Sequence, residues 1–201
     1  MYLPRTVEKI IPELSRRFKV VMLSGMRQVG KSTTLSHLKE LGRGYVTLEN
    51  LDDLALAWNS PKAFFQEHEL PLITDEVQRA PNLFLTIKLL VDREENKGGV
   101  WLSGSQKFVR MKGVGDSLAG RIYDQKLMPL SLYERAGKGL EQEPYFPDAQ
   151  KKAGLPYEDA DRIWDIIWQG GWPEALELNP EERHRYFNAF ITTFLLSLIH
   201  I

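Results

Sequence analysis

Eight consecutive residues carry the most specific chemistry in the chain. Gly25-Met26-Arg27-Gln28-Val29-Gly30-Lys31-Ser32 fit the pattern G-x-x-x-x-G-K-[ST]. Such glycines let backbone N–H groups curl round an anion, and a helix beginning at the lysine turns its positive end to the same point. Lys31 is then expected to neutralise the β- and γ-phosphates of ATP, and the Ser32 hydroxyl to coordinate Mg²⁺. Gly25, Arg27, Gln28, Val29, Gly30 and Thr33 complete the expected cradle. The bland alternative is a glycine-rich turn that binds nothing. The flanks argue against it, with a β-rich run before the motif and a helical run after it. A dinucleotide fingerprint G-x-G-x-x-G does not follow the first strand.

A second element, this one acidic, follows about forty residues on, at Leu72-Ile73-Thr74-Asp75-Glu76. Asp75 is placed to hold the Mg²⁺ water shell, and Glu76 to orient or deprotonate an attacking water. Acidic residues often start loops, so the strand end alone says little, and the preceding phosphate loop gives it weight. The adjacent glutamate favours hydrolysis over transfer to a second substrate. Ser103-Gly104-Ser105-Gln106 ends a later strand, where Ser105 either touches the γ-phosphate or the water, or is an ordinary turn residue. Arg121, after Ser117-Leu118-Ala119-Gly120, reads equally as an arginine finger, in cis or across subunits, and as an exposed arginine at a strand start. Arg27 is a second cationic candidate.

These residues need a scaffold that ends several strands at one edge. Residues 4–17 space Val7, Ile10, Ile11 and Leu14 as an amphipathic helix. Strands are expected at 18–23, 45–48, 70–74 and 99–102, with a fifth at 121–127. Helices are expected at 31–41, 52–58, 60–65 and 83–91. The alternation predicts an α/β fold: a parallel five-stranded sheet of the P-loop NTPase kind between helices. Residues 1–135 form the expected nucleotide-binding domain and 136–157 a linker or surface loop. Residues 158–201 form a small helical segment, with helices at 158–168 and from 181 onward and a sharp turn at Gln169-Gly170-Gly171-Trp172-Pro173.

Composition narrows the function classes. The chain has 201 residues, 43% hydrophobic and 26% charged, as an ordinary globular protein does. A net charge of −1 gives no electrostatic support for binding nucleic acid. With no cysteine, disulfides, thiolate catalysis and Cys-based zinc sites are excluded. The four histidines show no paired metal spacing. The apolar run at 190–199 falls short of a membrane span, and the start of the chain lacks a signal-peptide pattern. A cytoplasmic location without membrane attachment is the expectation.

Taken together these residues resemble a family of prokaryotic AAA-type ATPases. Its members follow the AAA domain with a C-terminal domain of unknown function, of the DUF4143 type. Residues 25–33 and Asp75-Glu76-Val77-Gln78-Arg79-Ala80-Pro81 carry the resemblance, with Leu102-Ser103-Gly104-Ser105 and Ser117-Leu118-Ala119-Gly120-Arg121. Met128-Pro129-Leu130-Ser131-Leu132 and Gly170-Gly171-Trp172-Pro173 complete it. It spans about residues 4–194 and implies a five-stranded AAA core, Glu76 as the catalytic acid and Arg121 as a phosphate-facing arginine. The family pattern usually has an acidic pair near the end of the second strand, where this chain has Glu49-Asn50. Ser32 replaces the more usual threonine.

After Phe194-Leu195 the family continues into a charged segment, whereas this chain ends Leu196-Ser197-Leu198-Ile199-His200-Ile201. The expectation is a fragment whose apolar face at 186–199 drives association, against a natural short protein whose last helix docks on its own core. The expected function is an ATPase that hydrolyses ATP to ADP and phosphate with Mg²⁺ as a nucleotide-driven switch. The alternative is a module that holds ATP without turnover. A P-loop kinase is the least favoured reading, since no acceptor pocket or lid is evident. A homo-oligomer is compatible with each, and no protein partner is indicated.

Overall fold

The computed structural model describes residues 2–39, 42–93, 97–105, 118–141 and 160–195. Val20, Val21, Met22 and Leu23 are apolar without alternation, which suits a strand covered on both faces. They open β1 (Val20–Gly25), which is buried along its whole length. It belongs to a five-stranded sheet with β2 (Gly44–Thr47), β3 (Leu72–Asp75), β4 (Val100–Ser105) and β5 (Ile122–Leu127). The order is β2-β3-β4-β1-β5, with every pair parallel. The expected parallel sheet between helices is therefore present.

Successive strand residues face opposite sides. Val20, Met22, Leu72, Val100 and Leu102 pack into one layer with Ala57 of α3 (Leu51–Asn59), Phe64 of α4 (Pro61–Glu67), and Phe84 and Ile87 of α5 (Leu83–Arg93). Val21, Leu23, Ile73 and Trp101 pack into the other with Val7 and Ile11 of α1 (Val7–Ser15) and Leu35 and Leu38 of α2 (Lys31–Leu38). Each fully buried side chain of this kind contributes roughly 1.5–3 kcal/mol, so the sheet is held from both faces.

After β5 the chain forms a one-turn helix, α6 (Leu132–Arg135), that periodicity did not reveal. Ser131 and Glu134 make a capping box: the Ser131 hydroxyl accepts from the Glu134 amide at 3.3 Å, and the Glu134 carboxylate accepts from the Ser131 amide at 2.8 Å. The helical segment comprises α7 (Ala160–Gln169) and α8 (Pro180–Phe190). α7 exposes a stripe of Ile163, Trp164, Ile167 and Trp168. Of the apolar face expected at 186–199, Ile191 is 45% exposed, and the side chains beyond Thr193 lie outside the described residues. So do residues 142–157 of the expected linker. Among the described residues no helix is long and apolar enough to cross a membrane.

Candidate functional site

In a parallel sheet all strands end at the same edge, so β1, β3 and β4 deliver their C-terminal residues to one place. Gly25 ends β1 beside Leu127 of β5. A Cβ on Gly25 would lie 2.5 Å from the Leu127 carbonyl oxygen, so only glycine fits there. The loop that follows uses two left-handed residues, Gln28 (φ 61°) and Gly30 (φ 93°). Such turns converge backbone N–H groups into an anion-binding concavity. Val29 between them is fully buried and roots the loop in the core. Gly30 is the N-cap of α2, so the helix begins at Lys31 as the motif requires.

Lys31 is itself buried, and its ammonium donates to the Met26 carbonyl at 2.8 Å. Burial holds its pKa below the ordinary lysine value and Arg27 adds to the lowering, while Glu76 and Asp75 oppose it. Lys31, Arg27, Asp75 and Glu76 thus share one electrostatic site.

Asp75, 3% exposed at the end of β3, is fixed by three donors. The Ser103 hydroxyl and the Glu76 amide (3.0 Å) both reach its Oδ1. The Tyr45 hydroxyl donates to its Oδ2 at 2.7 Å. Glu76 takes a left-handed conformation (φ 56°, ψ 40°), which costs a non-glycine residue about 1–3 kcal/mol and clusters at functional sites. The Gln78 side-chain amide donates to the Glu76 carboxylate. Gln78 in turn abuts Gly104 of β4, where a Cβ would lie 2.7 Å from its Oε1.

A hydroxyl and a carboxylate are hard oxygen donors of the kind Mg²⁺ prefers. Among the described residues there is no cluster of three or more His, Cys, Asp or Glu able to hold a metal ion. An ion at Ser32 and Asp75 would therefore need phosphate oxygens and water to complete its shell, which is how Mg²⁺ ordinarily binds with nucleotides.

Two clefts flank the phosphate loop. One, of about 410 Å³, lies between the N-terminal segment and the C-terminal turn and is lined by Tyr2, Leu3, Thr34, Leu130, Pro173 and Leu176. Its walls are mostly apolar with a few polar groups, which suits a flat heterocycle. The other, of about 560 Å³, is more open and runs past Ser32, Thr33, His37 and Tyr45.

Arg5 supports the loop from behind. Its Nη1 donates to the Val29 carbonyl at 2.8 Å and its Nη2 to the Met128 carbonyl at 2.7 Å. Its Nε lies 3.2 Å from Glu134 Oε1, an ion pair without an aligned hydrogen bond.

The expected site residues divide accordingly. Gly25, Arg27, Gln28, Val29, Gly30, Lys31, Ser32 and Thr33 lie on one loop and helix start, beside Asp75 and Glu76. Ser105 is the last residue of β4, paired with Gly25, and its side chain lies outside the described residues, as does Gln106. Arg121 needs correction as a phosphate-facing residue of its own chain. It precedes β5, whose first residue pairs with Val20 at the start of β1, so it sits at the opposite end of the sheet from the loop. The length of β1 separates them, about 16–20 Å at the strand rise. The Arg121 guanidinium instead pairs with Asp92 of α5, through Nε and through Nη2 at 3.2 Å. Ser103, Tyr45 and Arg5 were not anticipated. Ser103 was within reach, because β4 lies between β1 and β3 and Ser103 follows Leu102, the partner of Thr74, as Asp75 follows Thr74.

Comparison with known proteins gives a family match. The model described as AAA domain matches residues 17–136. An uncharacterized protein of Mycobacterium tuberculosis H37Rv and another of Mycobacterium bovis are each 30% identical over 183 residues. The match takes in 89% of this chain and 36% of each relative, so the chain spans about a third of the length of the curated relatives it matches. Among solved structures, AMPPCP-bound DnaA of Aquifex aeolicus is 17% identical, with 94% of this chain and 59% of that chain covered at a TM-score of 0.49. The ORC1 protein of Aeropyrum pernix, in complex with DNA, is 15% identical, with 63% and 45% covered at a TM-score of 0.37.

Proposed function

The chain belongs to the AAA domain family, and from that premise we propose that it binds ATP with Mg²⁺ around Lys31 and hydrolyses it to ADP and phosphate as a nucleotide-driven switch. The convergence of Lys31, Asp75 and Glu76 at one sheet edge is the observation that carries this reading. On binding, Lys31 exchanges the Met26 carbonyl for the β- and γ-phosphates, and the amides of the loop enclose them. Ser32 and Asp75 hold Mg²⁺, which when bound neutralises charge on the phosphate oxygens. Glu76 orients and deprotonates the attacking water, and Ser105 touches the γ-phosphate. The base enters the cleft of Tyr2, Leu130 and Pro173.

In this reading residues 1–135 are the ATPase domain and residues 158–201 the start of a C-terminal region. A DUF4143-type domain would follow in the longer protein, which acts in the cytoplasm. Phosphate release from ATP tests the chemistry. The expected result is Mg²⁺-dependent turnover that is lost in Lys31→Ala together with nucleotide affinity. Equal turnover in parent and variant would reject the site.

Arg121 enters the chemistry only from a neighbouring copy, after leaving Asp92. At high dilution Arg121→Ala is therefore expected to keep the parent rate per molecule within about twofold, since no transition-state contact is removed. A parent rate that rises with protein concentration, and a variant rate that does not, would assign the arginine a role in trans. A loss already present at dilution would contradict the placement described above.

A further inference from the structure

Two side chains of the C-terminal helical segment end on the tip of the phosphate loop. The Trp172 indole N–H donates to the Arg27 carbonyl at 3.2 Å, across 145 residues of chain. The Tyr186 hydroxyl donates to Gln28 Oε1 at 2.8 Å, across 158 residues. Both acceptors belong to the stretch whose amides must converge, and Gln28 is the left-handed residue that bends it (φ 61°). That conformation is unfavourable for a residue with a Cβ and persists where surrounding contacts fix it.

The two donors are themselves braced. The Trp172 ring meets Phe187 and Phe190 edge-on at 6.1 and 5.6 Å, and Tyr186 meets Phe187 at 5.4 Å. The turn before Trp172 is pinned from the other side, where the Leu130 amide donates to the Gly171 carbonyl at 2.7 Å. A Cβ on Gly171 would lie 2.8 Å from the Leu130 carbonyl oxygen, so the turn cannot be bulkier there. Pro173, next in sequence, lines the cleft of about 410 Å³. One rigid turn therefore touches the loop with one residue and the cleft with the next.

Packing of a terminal helix would account for the aromatic rings. It does not require the two polar tips to meet the loop, because a part-exposed hydroxyl or indole N–H is equally satisfied by water. We propose that Trp172 and Tyr186 are positioning residues for the phosphate loop, holding Arg27 and Gln28 in the anion-ready shape and thereby coupling nucleotide binding to the docking of α7 and α8. The coupling to nucleotide rests on the function proposed above; the holding of the loop does not. Coupling of this kind is reciprocal: whatever loosens α8 weakens nucleotide binding, and nucleotide tightens α8.

The test uses the full chain with Trp172→Phe and Tyr186→Phe, singly and together. These keep the rings and remove only the donors. Amide hydrogen exchange without nucleotide is read at residues 26–30, with the β1 amides as reference. Removing two hydrogen bonds of ordinary strength is expected to speed loop exchange about tenfold, and each single change about threefold, with β1 unaltered. The double variant is also expected to bind ADP about tenfold more weakly and adenosine within about twofold of the parent, by the same constants. Unchanged exchange at 26–30 would overturn the positioning role. Faster exchange in the loop and β1 together would overturn it as well, because that is a loss of stability. ADP affinity unchanged in the double variant would overturn the coupling. A parent chain that binds no ADP would defeat the nucleotide reading and the coupling with it, while loop exchange still decides whether the loop is held.

Discussion

Replacing Glu76 with glutamine is expected to lower phosphate release by roughly 10²–10⁴-fold, the usual worth of a positioned general base, while ATP affinity stays within a few-fold of the parent. Glutamine keeps the length and shape of the side chain. Its amide oxygen still accepts from Gln78, and the Asp75 carboxylate still receives the residue-76 amide at 3.0 Å. What is lost is the ability to take a proton. Binding and chemistry should therefore separate in this variant, whereas Lys31→Ala loses both. The pair of measurements is nucleotide affinity at equilibrium and phosphate release in a single turnover. Full turnover in Glu76→Gln would remove Glu76 from the mechanism. Tight binding by a parent chain that releases no phosphate would favour the non-hydrolysing module.

Gly104→Ala offers a way to perturb the same carboxylate without touching it. A Cβ at residue 104 would lie 2.7 Å from Gln78 Oε1 and 2.8 Å from the Met22 methyl, so the end of the Gln78 side chain, which also donates to Glu76, must move to admit it. The space open to the side chain that holds Glu76 thus depends on a glycine of a different strand.

That dependence shows where sequence reading succeeds and where it stops. Lys31 and Ser32 were legible because a phosphate loop is a local device: the glycines, the lysine and the helix start are contiguous. Asp75 and Glu76 were legible because a buried apolar strand ending in two carboxylates needs an explanation, and the loop upstream supplies one. Arg121 misled for a topological reason. Every other candidate follows a strand and reaches the C-terminal edge of the sheet; Arg121 precedes one and lies at the far edge, where Asp92 satisfies it. Tyr45 and Ser103 escaped notice because their partner, Asp75, is 30 and 28 residues away and meets them only through the order β2-β3-β4. Trp172 and Tyr186 are further still from the loop, 145 and 158 residues from their partners, and the Gly170-Gly171-Trp172-Pro173 motif reads as a turn and a family mark without pointing to Arg27.

Arg5 is the clearest case of a residue hidden in sequence and decisive in structure. Helical spacing at residues 4–17 absorbs it as one more charged position, yet it lies before α1 and is 3% exposed. Its guanidinium ties together three separate pieces: the Val29 carbonyl of the phosphate loop, the Met128 carbonyl after β5, and Glu134 of α6. Lysine cannot replace it, since one ammonium cannot reach acceptors spread over a planar fork. Arg5→Ala leaves the Glu134 carboxylate buried and short of its counter-charge, although the Thr6 and Ser131 amides still donate to it. Breaking a buried pair by removing one partner costs about 3–5 kcal/mol, a large share of the stability of an ordinary domain. That loss is the expected result of denaturant unfolding at neutral pH. Arg5→Met combined with Glu134→Leu should lose less than the sum of the single changes, because no charge is then left alone. A loss below about 1 kcal/mol in Arg5→Ala, the range of exposed ion pairs, would mean that water reaches this cluster. The N-terminal segment would then be a cover over the loop and not its support.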